Sequence, residues 1–163
     1  NEVIEDVKED LKDVITEKNA VIEIKEICDV HIIRFQFQQL MHNLINNSLK
    51  FSKPNTPPHI TISSRIVSNE KLKIKEFPPK KEYCEITISD NGIGFEQKFS
   101  TKIFEMLQKL HGKEEFDGTG LGLAIVKKKV DNHNGKITAT GKLKKGATFT
   151  IYLPTDQEGI PVS

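Results

Sequence analysis

Three groups of residues in this chain have the types and spacing to hold a charged ligand. The first is "DNGIG", Asp90 to Gly94, directly after the strand-like run "YCEITIS". Alternating glycines let a backbone adopt unusual angles and come close to other groups. A carboxylate at the carboxyl end of a strand stands where α/β ligand sites form. Such a carboxylate can accept a hydrogen bond from an exocyclic amine, which adenine offers and guanine does not offer at the same place. The second group is "GTGLGLAI", 118–125, whose glycines lead into a helical pattern. The free N–H groups and dipole of a helix start suit phosphate. No Gly-Lys-Ser/Thr follows, so this is no Walker A loop, and it fits G-x-G-x-x-G poorly. The third group is Asn43, Asn47 and Lys50, which share one face of a helical run. Two amides and a lysine on one stripe are poor core material. A side-chain carbonyl is a hard oxygen ligand suited to Mg²⁺, which takes few protein ligands and keeps water and phosphate oxygens. Lys50 can offset polyphosphate charge. Asn46 lies off the stripe and reads as structural. Either glycine group alone reads as a turn, and a lone asparagine as a wet helix face; the three together read as a ligand site.

These groups need elements to position them. Val3, Val7, Leu11, Val14 and Ile15 recur at helical spacing, which predicts an amphipathic helix ending near Lys18–Asn19. "AVIEIKE" alternates as a strand does. Phe37, Leu40, Met41, Leu44, Ile45 and Leu49 predict a long helix over 35–52, broken by "PNTPP". "HITISSRIV" and "YCEITISD" read as strands, the second with Ile86 and Ile88 on one face and Asp90 at its end. Between them "SNEKLKIKEFPPKKE" reads as an exposed hairpin or variable loop. From Phe95 to Asp117 no period is sustained, which predicts a partly mobile segment. A helix over about 120–133 closes at Asn134-Gly135. "KITAT" and "ATFTIYLP", joined by "GKLKKG", predict a closing β-hairpin. This order predicts an α/β two-layer sandwich: a mixed, mostly antiparallel sheet with helices on one face. One domain is expected over 1–155, with a frayed tail over 156–163.

The totals agree with that reading. The chain has 163 residues, enough for one domain with a sizeable core. With 36% hydrophobic and 29% charged residues it is globular rather than disordered. The net charge of +1 gives no reason to expect nucleic acid as a partner. The two cysteines, Cys28 and Cys84, show no close pairing, so neither a disulfide framework nor a zinc site is expected and a reducing, cytoplasmic setting fits. No apolar run reaches membrane-spanning length. The chain begins at Asn1 rather than Met, as an excised piece would.

Taken together, the residues resemble the ATP-binding catalytic domain of two-component sensor histidine kinases, in the larger GHKL group with the Bergerat fold. "NLINNSLKFS" resembles the N box, "DNGIGF" the G1 box, "IFEMLQKLHG" the F box and "GTGLGLAI" the G2 box, in the family's order and over nearly the whole chain. The resemblance implies ATP and Mg²⁺ as cofactors. Asn47 would be the Mg²⁺ ligand, with Asn43 a supporting polar contact. Lys50 would meet phosphate and Phe51 would lie against the nucleotide. Asp90 would take the adenine amine, with Gly92 and Gly94 shaping the pocket floor. Phe104 would anchor a lid over 97–117. Gly118, Thr119, Gly120, Leu121 and Gly122 would wrap the phosphates and hinge that lid, and Leu123 would pack behind them. Lys109 stands where many members carry a lid arginine, with Lys113 as a substitute; lysine keeps the charge without the bidentate fork. Ser48 replaces the family's usual alanine, and Leu107 a common aromatic. His111 and His133 read as surface or packing histidines.

The resemblance also implies what lies elsewhere. The family's acceptor histidine, followed by Glu or Asp, sits on a dimerisation segment, and none of His31, His42, His59, His111 or His133 has that setting. The expected partners are therefore a histidine-bearing dimerisation domain of the same polypeptide and a response-regulator receiver domain. The piece itself is expected to be monomeric and cytoplasmic, and the full-length protein a homodimer, for which a membrane anchor outside this piece is left open. Two alternatives stand beside the kinase: a non-catalytic ATP-binding module, and a GHKL-type ATPase. The ATPases carry a glutamate one turn before the Mg²⁺ asparagine, where this chain has Asn43.

Overall fold

A computed structural model of the chain describes residues 2–26, 34–79, 81–97 and 119–155. The opening periodicity gives two helical segments, α1 (Glu2–Asp10) and α2 (Lys12–Lys18), where one was expected. They meet at Leu11, yet backbone hydrogen bonds run through the junction, from Leu11 N to Val7 O and from Ile15 N to Leu11 O, both 3.0 Å. Ile4, Val7 and Leu11 are the buried stripe of this unit, and α1 packs on α3 (Arg34–Lys50). At the end of α2, Asn19 takes the left-handed conformation (φ 54°) that closes a helix.

Among the described residues five strands follow in chain order: β1 (Val21–Ile24), β2 (His59–Ser68), β3 (Glu82–Asp90), β4 (Lys136–Lys142) and β5 (Gly146–Pro154). They form one sheet in the order β1-β2-β3-β5-β4. Only β1 and β2 run parallel; the other pairs are antiparallel. The expected mixed, mostly antiparallel sheet is what forms.

Strand alternation sends every second residue to the helix side. The register lines those residues up across strands: Ile62, Ile88, Phe149 and Ala139 form one row, and Ser64, Ile86, Ile151 and Ile137 the next. All eight are buried. Against them lie Leu40, Met41, Leu44, Ile45 and Leu49 of α3 and Val126 and Val130 of α5 (Thr119–Asn132). The opposite face carries hydroxyls in register: Thr61, Ser89, Thr148 and Thr140, then Ser63, Thr87, Thr150 and Thr138. Such side chains tolerate water, and among the described residues α3 and α5 pack on the other, apolar face.

One expectation is refined and one corrected. The segment after β2, expected as an exposed hairpin or variable loop, does connect the antiparallel neighbours β2 and β3, but it opens with a short helix, α4 (Asn69–Leu72), and is pinned from within. Buried Asn69 accepts from Ile74 N (2.8 Å) and directs its amide at the carbonyls of Phe77 and Pro78 (3.1 and 3.0 Å). Phe77 stacks on Tyr83 with ring centroids 4.0 Å apart. Charge and proline in the sequence hid one asparagine and one aromatic that order the rest. Cys84 is buried in β3 and disulfide-bonded, against the expectation that no disulfide forms. Pairing depends on how close folding brings two Cα atoms, which sequence spacing does not reveal. The chain's other cysteine, Cys28, lies outside the described residues.

Among the described residues no helix is long and apolar enough to cross a membrane. The expected mobile lid, with Phe104, Leu107, Lys109, His111 and Lys113, lies outside the described residues, as do Gly118 and the 156–163 tail.

Candidate functional site

Strand parity explains why Asp90 matters. Cys84, Ile86 and Ile88 of β3 are buried on the helix side, and Asp90 is the next residue of that parity. A carboxylate therefore occupies an inward position where an aliphatic side chain would serve the core. Three neutral donors converge on it. The N–H groups of Gly92 and Ala147 donate to Oδ1 at 2.9 and 3.2 Å. The hydroxyl of Ser48, from α3, donates to Oδ2 at 2.9 Å. Burial pushes the Asp90 carboxyl above the ordinary aspartate range, and these three hydrogen bonds oppose that push.

The helix contribution follows from its own spacing. Met41, Leu44, Ile45, Ser48 and Leu49 line the buried side of α3. Asn43, Asn47 and Lys50 take the adjoining stripe: Asn43 is half-buried, Asn47 buried and Lys50 exposed in the last turn. Asn47 Oδ1 is fully enclosed and has no hydrogen-bond partner among the described residues. A buried amide oxygen left unpaired is costly, and natural structures leave few. It is a hard donor suited to a divalent cation. Among the described residues no three His, Cys, Asp or Glu side chains converge as a metal cage. An amide oxygen of this kind could serve a divalent cation that takes few protein ligands and keeps water or substrate oxygens.

A loop joins these two walls. Ile93 N donates to the carbonyl of Phe51 (2.9 Å), and Lys144 N to the carbonyl of Ile93 (2.7 Å), so residues 91–94 are strapped between the end of α3 and the β4–β5 turn. Approach to α3 is so close that a Cβ on Gly92 would stand 2.4 Å from Phe51 O. Gly94 has φ +66°, and a Cβ there would meet Lys142 O at 2.1 Å. Phe51 itself is buried. Asn91 braces the strap from outside, accepting from His59 N at 2.8 Å. At this same end of α3, the Lys18 ammonium donates to Leu49 O (2.6 Å) and Ser52 Oγ (3.0 Å), capping the helix beside Lys50 and Phe51. Replacing Gly94 by alanine is expected to lower stability by about 2–4 kcal/mol, the sum of a left-handed backbone cost and the overlap with Lys142. Chemical denaturation measures it; a change below about 0.5 kcal/mol would show that the strap yields easily.

The structure thus joins Asp90, Gly92, Gly94 and Phe51 at one end of the sheet, with Asn47 next to Ser48 on α3 and Asn43 and Lys50 along the same helix stripe. Thr119, Gly120, Leu121 and Gly122 form the first turn of α5, which packs beside α3. His133 is buried, with Nδ1 2.8 Å from the carbonyl of Lys129, a packing role as expected. Sequence reasoning missed three contributors. Ser48 carried a visible signal, a hydroxyl within an apolar helical stripe. Ala147 and Gly146 carried none, because their proximity to Asp90 comes from the antiparallel pairing of β3 with β5.

Comparison with known proteins bears on this site. The family model for histidine kinase-, DNA gyrase B-, and HSP90-like ATPases matches residues 33–157. The chain is 33% identical over 154 residues to the phytochrome-like protein Cph1 of Synechocystis, covering 94% of this chain and 19% of that protein. It is 33% identical over 131 residues to the sensor histidine kinase WalK of Bacillus subtilis, covering 79% of this chain and 19% of WalK. Its fold matches the nucleotide-free catalytic domain of the histidine kinase ThkA with a TM-score of 0.70 at 22% identity, over 97% of this chain and 94% of that one. It also matches full-length ShkA in complex with AMPPNP, with a TM-score of 0.70 at 21% identity, over 95% of this chain and 30% of ShkA.

Proposed function

The chain belongs to the histidine kinase-, DNA gyrase B- and HSP90-like ATPase family, and from that premise we propose that it binds Mg·ATP and donates the γ-phosphoryl group to a histidine on a dimerisation domain of the same polypeptide. The observation that carries this reading is the pairing, on neighbouring α3 and β3, of an inward carboxylate held by three neutral donors and a buried amide oxygen with no partner among the described residues. In this reading Asp90 accepts the exocyclic amine of adenine, and the strap of Gly92 and Gly94 forms the floor beneath the base. Phe51 contributes apolar surface, and Asn47 with Asn43 and Lys50 faces the polyphosphate. The first turn of α5, from Thr119 to Gly122, offers backbone N–H groups to phosphate oxygens. Lys109, or else Lys113, supplies the lid cation, with Phe104 as its anchor. Mg²⁺ held by Asn47 would neutralise charge on the phosphates.

Phosphoryl transfer depends on positioning and charge neutralisation more than on covalent help from the protein. A neutral imidazole can attack without a strong base in this chain. Water cannot, and the residue one turn before Asn47 is Asn43, whose amide is no useful proton acceptor near neutral pH. Negligible ATP hydrolysis by the chain alone is therefore expected. A phosphate-release assay checks this; steady turnover that vanishes in Asn43→Ala would mark an ATPase instead. The curated relatives support the wider context: the chain spans 19% of Cph1 and of WalK. The acceptor histidine, a receiver domain downstream, the homodimeric state of the full-length protein and any membrane anchor belong to this proposal. The direct test adds a separately made histidine-bearing dimerisation domain and γ-labelled ATP. Label on that histidine supports the kinase, and its absence despite tight ATP binding supports a module that signals by binding alone.

A further inference from the structure

The geometry points to Ser48 as a specificity-determining residue of the base pocket: by donating to Asp90 Oδ2 it commits the carboxylate to accepting, and so selects a purine that presents an exocyclic amine over one that presents a carbonyl. This inference rests on the adenine reading given above.

The case is a count of lone pairs. An ionised carboxylate offers about four acceptor sites. Two, on Oδ1, take the N–H groups of Gly92 and Ala147, and one, on Oδ2, takes the Ser48 hydroxyl. One site on Oδ2 remains, and it can receive an N–H donor. A base carbonyl brought to the same place would set lone pair against lone pair, unless Asp90 took up a proton and became the donor. Burial works toward that proton; among the described residues the opposition comes from the hydrogen bonds of Gly92, Ser48 and Ala147 and from no charged side chain. Of these three, Ser48 alone acts on Oδ2, the oxygen with the open site. It is also the only one of the three to act through its side chain, so a substitution can remove its donor and leave the backbone donors in place.

Packing does not require this hydroxyl. Ser48 is 2% exposed among Met41, Leu44, Ile45 and Leu49, on the buried side of α3, and the family's usual alanine would sit there without a polar atom to satisfy. The carboxylate, not the core, gives the hydroxyl its partner.

The test measures affinity for ATP and for ITP, which carries a carbonyl in place of the amine, by calorimetry with Mg²⁺ on the parent, S48A and S48T. Thermal unfolding confirms that each is folded. The parent is expected to favour ATP by about 100-fold or more, S48A to narrow that ratio by about tenfold, and S48T, which keeps the hydroxyl, to restore it. A folded S48A with the parent's ratio overturns the inference, as does an equal loss for both nucleotides, which is what a packing defect produces. If the parent binds ATP and the ratio does not move, only the role of Ser48 falls. If the parent binds neither nucleotide, the adenine reading falls first.

Discussion

ATP affinity about 100-fold below that of the parent is the expected result for Asp90→Asn. The substitution keeps the size of the side chain and removes the one atom set that accepts from every direction. Asp90 Oδ1 and Oδ2 accept from Gly92 N, Ala147 N and Ser48 Oγ at 2.9, 3.2 and 2.9 Å. An asparagine has one accepting oxygen, so its NH₂ group faces either the base amine and Ser48 together or the N–H groups of Gly92 and Ala147. A hydrogen bond to a charged acceptor is worth about 1.5–3 kcal/mol, and opposing two donors adds the desolvation cost of the unpaired one. Folding should suffer much less, because neutralising the side chain also relieves the burial that pushes its proton affinity up. Cooperative unfolding with a midpoint near the parent's, together with lost ATP binding, is the expected pair of results. Equal losses in both would assign Asp90 to the fold rather than to the ligand.

The same carboxylate gives binding a pH dependence of known sign. The accepting form is the ionised one, and burial holds the proton to a higher pH than the ordinary aspartate value of 3.8. Affinity for ATP should therefore be complete above the shifted value and should fall as pH drops through it. The asparagine variant should lack that limb, so the difference between the two profiles isolates Asp90 from protonation of the nucleotide.

Asn47→Ala is expected to have the second large effect, of a different kind. Asn47 Oδ1 is buried and unpaired among the described residues, so removing that oxygen takes away a cost rather than a bond. Stability of the ligand-free chain should stay within about 1 kcal/mol of the parent or rise, since the relief offsets the small void left by the amide. The increment in ATP affinity produced by Mg²⁺ should shrink by about 10- to 100-fold. Phosphoryl transfer to the acceptor domain should fall by about 100-fold or more, the scale seen when one well-placed electrostatic group is lost. Affinity for ATP in the presence of a chelator should not change. A destabilised variant with its Mg²⁺ increment intact would make Asn47 a structural amide.

Much of this arrangement can be read in the sequence, for reasons specific to particular residues. Period-two alternation in "HITISS" and "YCEITISD" fixed both strands and the side on which Asp90 falls. Helical spacing placed Asn43, Asn47 and Lys50 on one stripe, because that spacing is a property of the helix alone. What escaped the sequence depends on contacts between distant segments. Ser48 meets Asp90 across 42 residues and Ala147 meets it across 57. Asn69 organises the segment after β2 through carbonyls that only folding brings to it. The division at Leu11 has no glycine or proline to announce it, and the bonding of Cys84 depends on a distance that spacing cannot give.

The central claim is one site that reads adenine at Asp90 and holds a metal-bound phosphate tail at Asn47. Calorimetric titration of the purified chain with ATP, in Mg²⁺ and again with a chelator, tests it most directly. The account expects saturable binding at one site per chain, tighter with Mg²⁺ than without. No saturable heat at millimolar ATP with Mg²⁺ present, or an affinity indifferent to the metal, would contradict it.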